Sequence, residues 1–102
     1  MSFKKQYLKS RPICKVTFRI SKEAVDGAST VHIVGEFNDW DKNATPMKRL
    51  KTGDFVATVD MDVGREYQYR FLLNNTTWIN DAQADKYVPS HYRDVDNSVI
   101  II

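Results

Sequence analysis

Cys14-Lys15-Val16-Thr17-Phe18-Arg19-Ile20 puts an apolar side chain at every even position and a polar or charged one between them. Successive side chains of extended backbone point to opposite faces, so this period of two is the mark of a strand with one face buried. Cys14, Val16, Phe18 and Ile20 form the core-facing row, with Cys14 acting as a small buried hydrophobe. The same alternation returns twice further along the chain. Phe55, Ala57, Val59 and Met61 alternate with Val56, Thr58, Asp60 and Asp62, and Tyr67, Tyr69, Phe71 and Leu73 alternate with Glu66, Gln68, Arg70 and Leu72. Val31-His32-Ile33-Val34 is nearly continuous apolar sequence, as in a central strand, and Val99 to Ile102 is β-branched throughout.

Turn chemistry separates these runs. Gly27 follows the first, Gly53-Asp54 precedes the third, and Gly64 stands between Val63 and Arg65, which predicts a tight hairpin there. Nowhere do apolar residues recur at i, i+3, i+4 and i+7 over ten residues, so no long helix is expected and residues 80–88 have room for one short turn at most. Several short strands at this spacing predict an all-β fold, an immunoglobulin-like antiparallel β-sandwich. The Cys…Trp…Cys spacing of antibody domains is absent, since Cys14 is the single cysteine.

A chain of 102 residues makes one domain with one core. Its formal charge of +2 is unevenly placed. Lys4, Lys5, Lys9 and Arg11 supply four of the 15 basic residues, leaving 11 against all 13 acidic side chains in the remainder. The expected organisation is a solvated basic arm over residues 1–11 and a sandwich over residues 12–102. A slightly acidic folded part argues against a nucleic-acid partner, which calls for a basic stripe. With no signal-peptide core and no long apolar span, the expectation is a soluble, cytoplasmic chain with no membrane partner. The glycosylation sequons at Asn43, Asn74 and Asn75 then read as chance matches.

Metal chemistry and phosphate chemistry find little support. Asp39-x-Asp41-x-Asn43 opens with calcium-loop spacing, but Ala44 stands where the loop needs Gly and Leu50 where it needs Glu. His32 and His91 are scattered, with no further ligand at zinc spacing, so neither a metal nor a cofactor is expected. There is no Gly-rich phosphate loop and no nucleophile elbow.

The segment Val34-Gly35-Glu36-Phe37-Asn38-Asp39-Trp40 is followed by Pro46-Met47, Gly53-Asp54-Phe55, Gly64, Tyr67-Gln68-Tyr69-Arg70-Phe71, Trp78, Asp81 and Asp96-Asn97-Ser98-Val99. In that order and spacing, from about Ile13 to Ile102, the chain resembles the glycogen-binding modules of the AMP-activated protein kinase β subunit. Similar domains precede the catalytic barrels of glycogen branching enzymes, isoamylases and pullulanases (family 48 of the carbohydrate-binding modules). The resemblance implies a non-catalytic module for α-1,4-linked glucans such as glycogen, starch, maltooligosaccharides or a cyclodextrin. It also implies that Trp40 and Trp78 match the two sugar-stacking tryptophans and Arg70 the basic residue of the central strand. The polar residue before the last strand matches Asp96 or Asn97, with Asn97 the better chemical fit. Two departures stand out: Asn74-Asn75-Thr76-Thr77 where relatives carry Asp-Gly, and Ala82 where they carry Pro.

These residue types suit the task. An indole offers a large rigid face to the C–H patch of a glucose ring, and few torsions are ordered when it is covered. Arg70 can donate to ring hydroxyls through a planar fork, and Asn97 can both donate and accept. The plainer alternatives are a core role for either tryptophan, simple solvation of Arg70, and a turn-capping role for Asn97. Both tryptophans are expected to be exposed, Trp78 the more so because it lies among Asn74, Asn75, Thr76, Thr77, Asn80 and Asp81; the alternative for Trp40 is to fold back over Pro46 or Met47 as a turn anchor. Glu36, Asp39 and Asp41 are turn carboxylates without the burial a glycosidase acid needs, so no enzyme activity is expected. The competing function is a protein-interaction domain that docks to a glucan-metabolising enzyme or forms a homo-oligomer, with little sugar affinity.

Overall fold

The computed structural model describes residues 3–90 and 95–102. Its strands, in chain order, are β1 (Phe3–Tyr7), β2 (Ile13–Ile20), β3 (Val31–Gly35), β4 (Lys48–Arg49), β5 (Phe55–Asp62), β6 (Glu66–Leu73), β7 (Thr77–Ile79), β8 (Lys86–Pro89) and β9 (Asp96–Ile101). One sheet has the order β1-β2-β5-β4. The other runs β3-β6-β9-β8, with β7 also paired to β6. All pairings are antiparallel, and the two sheets form a sandwich.

The alternating rows meet between the sheets. Cys14, Val16, Phe18 and Ile20 of β2 join Phe55 and Met61 of β5, and Tyr67, Tyr69, Phe71 and Leu73 of β6, in a single buried cluster. Phe18 lies at its centre, with ring centroids 5.2 Å from Tyr69 and 6.1 Å from Phe3 and Phe37. Aromatic pairs at these separations add to the stabilisation that buried area provides.

Two local expectations are corrected. Gly64 does not close a hairpin: β5 and β6 belong to different sheets, and Gly64, at φ +78°, turns the corner between them. The Val63 N–H donates to the Pro12 carbonyl, and the Tyr67 hydroxyl bonds the backbone of Asp62, so the corner is tied on both sides. A corner and a hairpin both call for left-handed backbone, which Gly supplies at no steric cost. Residues 3–7, expected in a solvated arm, pair along β2 from Phe3↔Phe18 to Tyr7↔Cys14. An edge strand needs only one bonded side, and Phe3 supplies its apolar contact while the Lys4 side chain stays in water. Helix occurs at α1 (Lys22–Val25), capped by Ser21, whereas residues 80–88 hold a turn followed by β8.

β6 is the strand that organises the second sheet. β3 runs along one of its edges, while β9 covers residues 66–69 and β7 covers 71–73 of the other. Arg70 stands at the break between β9 and β7.

Candidate functional site

The outward face of the second sheet is fixed by parity. Tyr67, Tyr69 and Phe71 face the core, so Gln68, Arg70 and Leu72 face away from it. Trp78 pairs with Leu72 and so stands on that outer face, while its neighbour Ile79 packs on the core. Asn97 lies one step beyond the Tyr69↔Ser98 pair, and its Nδ2 donates to Oε1 of Gln68 at 3.0 Å. Arg70, Trp78 and Asn97 therefore share one surface.

Trp40 is positioned by the segment that precedes it. Gly35 packs so tightly that a Cβ there would lie 2.4 Å from the Gln68 carbonyl oxygen and 2.7 Å from Tyr69 Cβ, so no other residue fits without moving β3 from β6. Glu36 accepts the Gln68 N–H at 2.7 Å, and Phe37 packs on Phe18. Asn38 brackets the turn, accepting from the Gly35 N–H and donating to the Ile33 carbonyl and to Oγ1 of Thr45, each at 3.0 Å. Asp39 and Trp40 then both take left-handed backbone at φ +58°, and the Trp40 N–H donates to the Gly35 carbonyl at 2.8 Å. That conformation is uncommon for a bulky residue and persists only where the surroundings impose it. Trp40 itself is 38% exposed.

Exposure reverses the order expected of the two indoles, for Trp40 is exposed and Trp78 is half-buried. Trp78 lies on a strand, not in an open loop. Asn74 and Asn75, at φ +52° and +60°, form a left-handed two-residue turn that performs the work of Asp-Gly and folds β7 back onto β6. Lys42, from the segment after Trp40, sets its ammonium 5.9 Å from the centre of the Trp78 ring. Sequence reading gave no sign of this contact, because nothing local links residues 42 and 78.

The break beside Arg70 is closed by polar groups. The Asp96 carbonyl accepts from Arg70 Nε at 3.2 Å, from Arg70 Nη2 at 3.0 Å and from Asn80 Nδ2 at 2.8 Å. Asn80 Oδ1 accepts from the Ser98 N–H at 3.0 Å and its hydroxyl at 2.8 Å. Behind them, the Tyr69 hydroxyl donates to Asp81 Oδ2 at 2.7 Å, the Gln83 N–H donates to Asp81 Oδ1 and the Asp81 N–H donates to Ser98 Oγ. Burial, reinforced by the negative charge of Asp81, pushes the Tyr69 phenol far above its ordinary value, so it remains a donor. Asn97, at 8% exposure, is held in this framework by Gln68. Asn80 and Gln68 escaped the sequence reading; the alternation around Arg70 marked Gln68 as outward, but not its pairing with Asn97.

The result is an aromatic surface rimmed by amide and guanidinium groups. Among the described residues, no three His, Cys, Asp or Glu side chains gather in a group that could hold a metal ion. His32 pairs with Leu72 on this outer face, and His91 lies outside the described residues.

A sequence model of the glycogen recognition site of AMP-activated protein kinase matches residues 19–99. The chain is also similar to the 1,4-alpha-glucan branching enzyme GlgB of Butyrivibrio fibrisolvens, at 40% identity over 60 residues. That stretch is 59% of this chain and 9% of the enzyme, so the chain spans a small fraction of the curated relative it matches.

Proposed function

This chain belongs to the family of glycogen recognition modules of AMP-activated protein kinase, and we propose that it binds α-1,4-linked glucans without catalysis, through the outer face of its second sheet. The observation that carries this reading is the presence of Trp78, Arg70 and Asn97 on one outward surface, with the exposed Trp40 presented beside β3 on strained backbone. The indoles supply faces for the sugar rings. Arg70, anchored through Nε and Nη2, retains Nη1 for ring hydroxyls. Asn97 is preferred to Asp96 as the polar contact because its side chain shares the face of Gln68. Exchanging water bonds for protein bonds yields little net free energy per hydroxyl, so the expected dissociation constant is roughly 10 μM to 1 mM.

Intrinsic tryptophan fluorescence tests the reading directly. Maltoheptaose and β-cyclodextrin should change the emission saturably, and cellohexaose should do far less, because a flat β-linked chain does not share the curvature of an α-1,4 chain. The stretch shared with a branching enzyme favours a second reading, in which the module docks to a glucan-metabolising enzyme. A silent titration with every α-glucan would promote that alternative.

A further inference from the structure

Lys42 follows Trp40 by two residues, in a turn that Asp41 closes by accepting the Asn43 N–H at 2.9 Å. Its ammonium lies 5.9 Å from the Trp78 ring centre, its one partner among the described residues. The contact joins two segments far apart in sequence, one bearing each indole. We propose that Lys42 is a built-in competitor for the Trp78 platform: it covers the ring in the free protein and leaves when a glucose ring stacks there.

The inference rests on reading Trp78 as a glucan platform and adds what controls access to it. A cation is attracted to the face of an indole, and so are the C–H groups of a sugar ring. A stacked ring fills the space from about 3.5–4 Å above the indole outward. An ammonium 5.9 Å from the ring centre lies within that layer, so both cannot occupy the same face. Lys42 is exposed and has no ion pair among the described residues, so its head group returns to water with little else disturbed. What binding forfeits is the cation–ring attraction, which at an exposed site corresponds to roughly a two- to fivefold change in affinity. In exchange, the contact holds the Trp78 ring ready before any ligand arrives.

The test is calorimetric titration of maltoheptaose into the wild type, Lys42→Met, Trp78→Ala and the double variant. Methionine keeps an unbranched stem and removes the charge. Lys42→Met should bind roughly two- to fivefold more tightly, and in the Trp78→Ala background the same change should have no effect. The Trp78 indole N–H resonance of ligand-free Lys42→Met should also move, as the ring loses its cation. Weaker binding by Lys42→Met would make Lys42 a sugar donor and overturn the competition, and unchanged affinity would overturn it equally. If the wild type itself binds no α-glucan, the functional reading fails with it; if the wild type binds and only the Lys42→Met gain is missing, this inference alone fails.

Discussion

Replacing Tyr69 by Phe removes one oxygen atom from the centre of the fold. Tyr69 is fully buried on β6, and its hydroxyl donates to Asp81 Oδ2 at 2.7 Å. Asp81 is 2% exposed, so water does not readily take the place of the lost donor. A hydrogen bond to a charged group contributes about 1.5–3 kcal/mol, and leaving the carboxylate oxygen unpaired exposes the whole of that loss. For a domain of this size each kcal/mol shifts the melting point by about 4–8 °C, so Tyr69→Phe should melt roughly 6–24 °C below the wild type. Thermal unfolding followed by circular dichroism at pH 7 measures this. There is also an alkaline signature. The folded phenol sits far above its ordinary value of 10.0, so the stabilisation linked to its proton is complete below pH 10. It declines as the pH rises further, because the unfolded chain can ionise there and the folded one resists. Tyr69→Phe should lose that part of the alkaline slope. A variant that melts within 2 °C of the wild type would refute the view that Tyr69 and Asp81 anchor the segment after Trp78.

Gly35→Ala should lower stability and glucan affinity together, because its Cβ would meet backbone 2.4 Å away and push β3, with Trp40 behind it, from β6; wild-type melting of this variant would contradict the close approach. The Arg19 guanidinium, bonded to Asp54 at 2.8 Å, and the Lys22 N–H hold the Asp54 carboxyl below its ordinary value. Asp54 therefore contributes stability above the usual carboxylate range near pH 4 that disappears as pH falls through its lowered value, and Arg19→Ala should flatten the acid limb of a melting-point profile.

The sequence made the inward rows of β2, β5 and β6 legible because burial on one face enforces alternation over eight residues. It also marked Trp40, Trp78, Arg70 and Asn97 as residues to follow. What it left unread depends on partners distant in the chain. Gly64 serves a corner as well as a hairpin, and only the pairing of β5 with β2 separates the two. β1 is mostly polar in sequence because, at a sheet edge, Phe3 and the backbone bonds to β2 suffice. Lys42 reaches Trp78 across 36 positions, and Asn80 bridges to Asp96 and Ser98. The exposure of the two indoles was misjudged for the same reason: polar neighbours in sequence do not reveal that Trp78 stands on a strand opposite Leu72.

The two indoles either bind sugar or merely pack. Calorimetric titration with maltoheptaose, paired with thermal melts of the same Trp40→Ala and Trp78→Ala samples, addresses both at once. The wild type should bind at roughly 10 μM to 1 mM, and either substitution should weaken binding at least tenfold. Trp40→Ala should still melt within a few degrees of the wild type, because Trp40 is already 38% exposed, while Trp78→Ala should melt somewhat lower, because half-buried Trp78 is the cross-strand neighbour of buried Leu72. Truncating a core tryptophan costs about 3–5 kcal/mol. If Trp40→Ala loses that much stability, or if both variants bind maltoheptaose as well as the wild type, the outer face of the second sheet is not a glucan site.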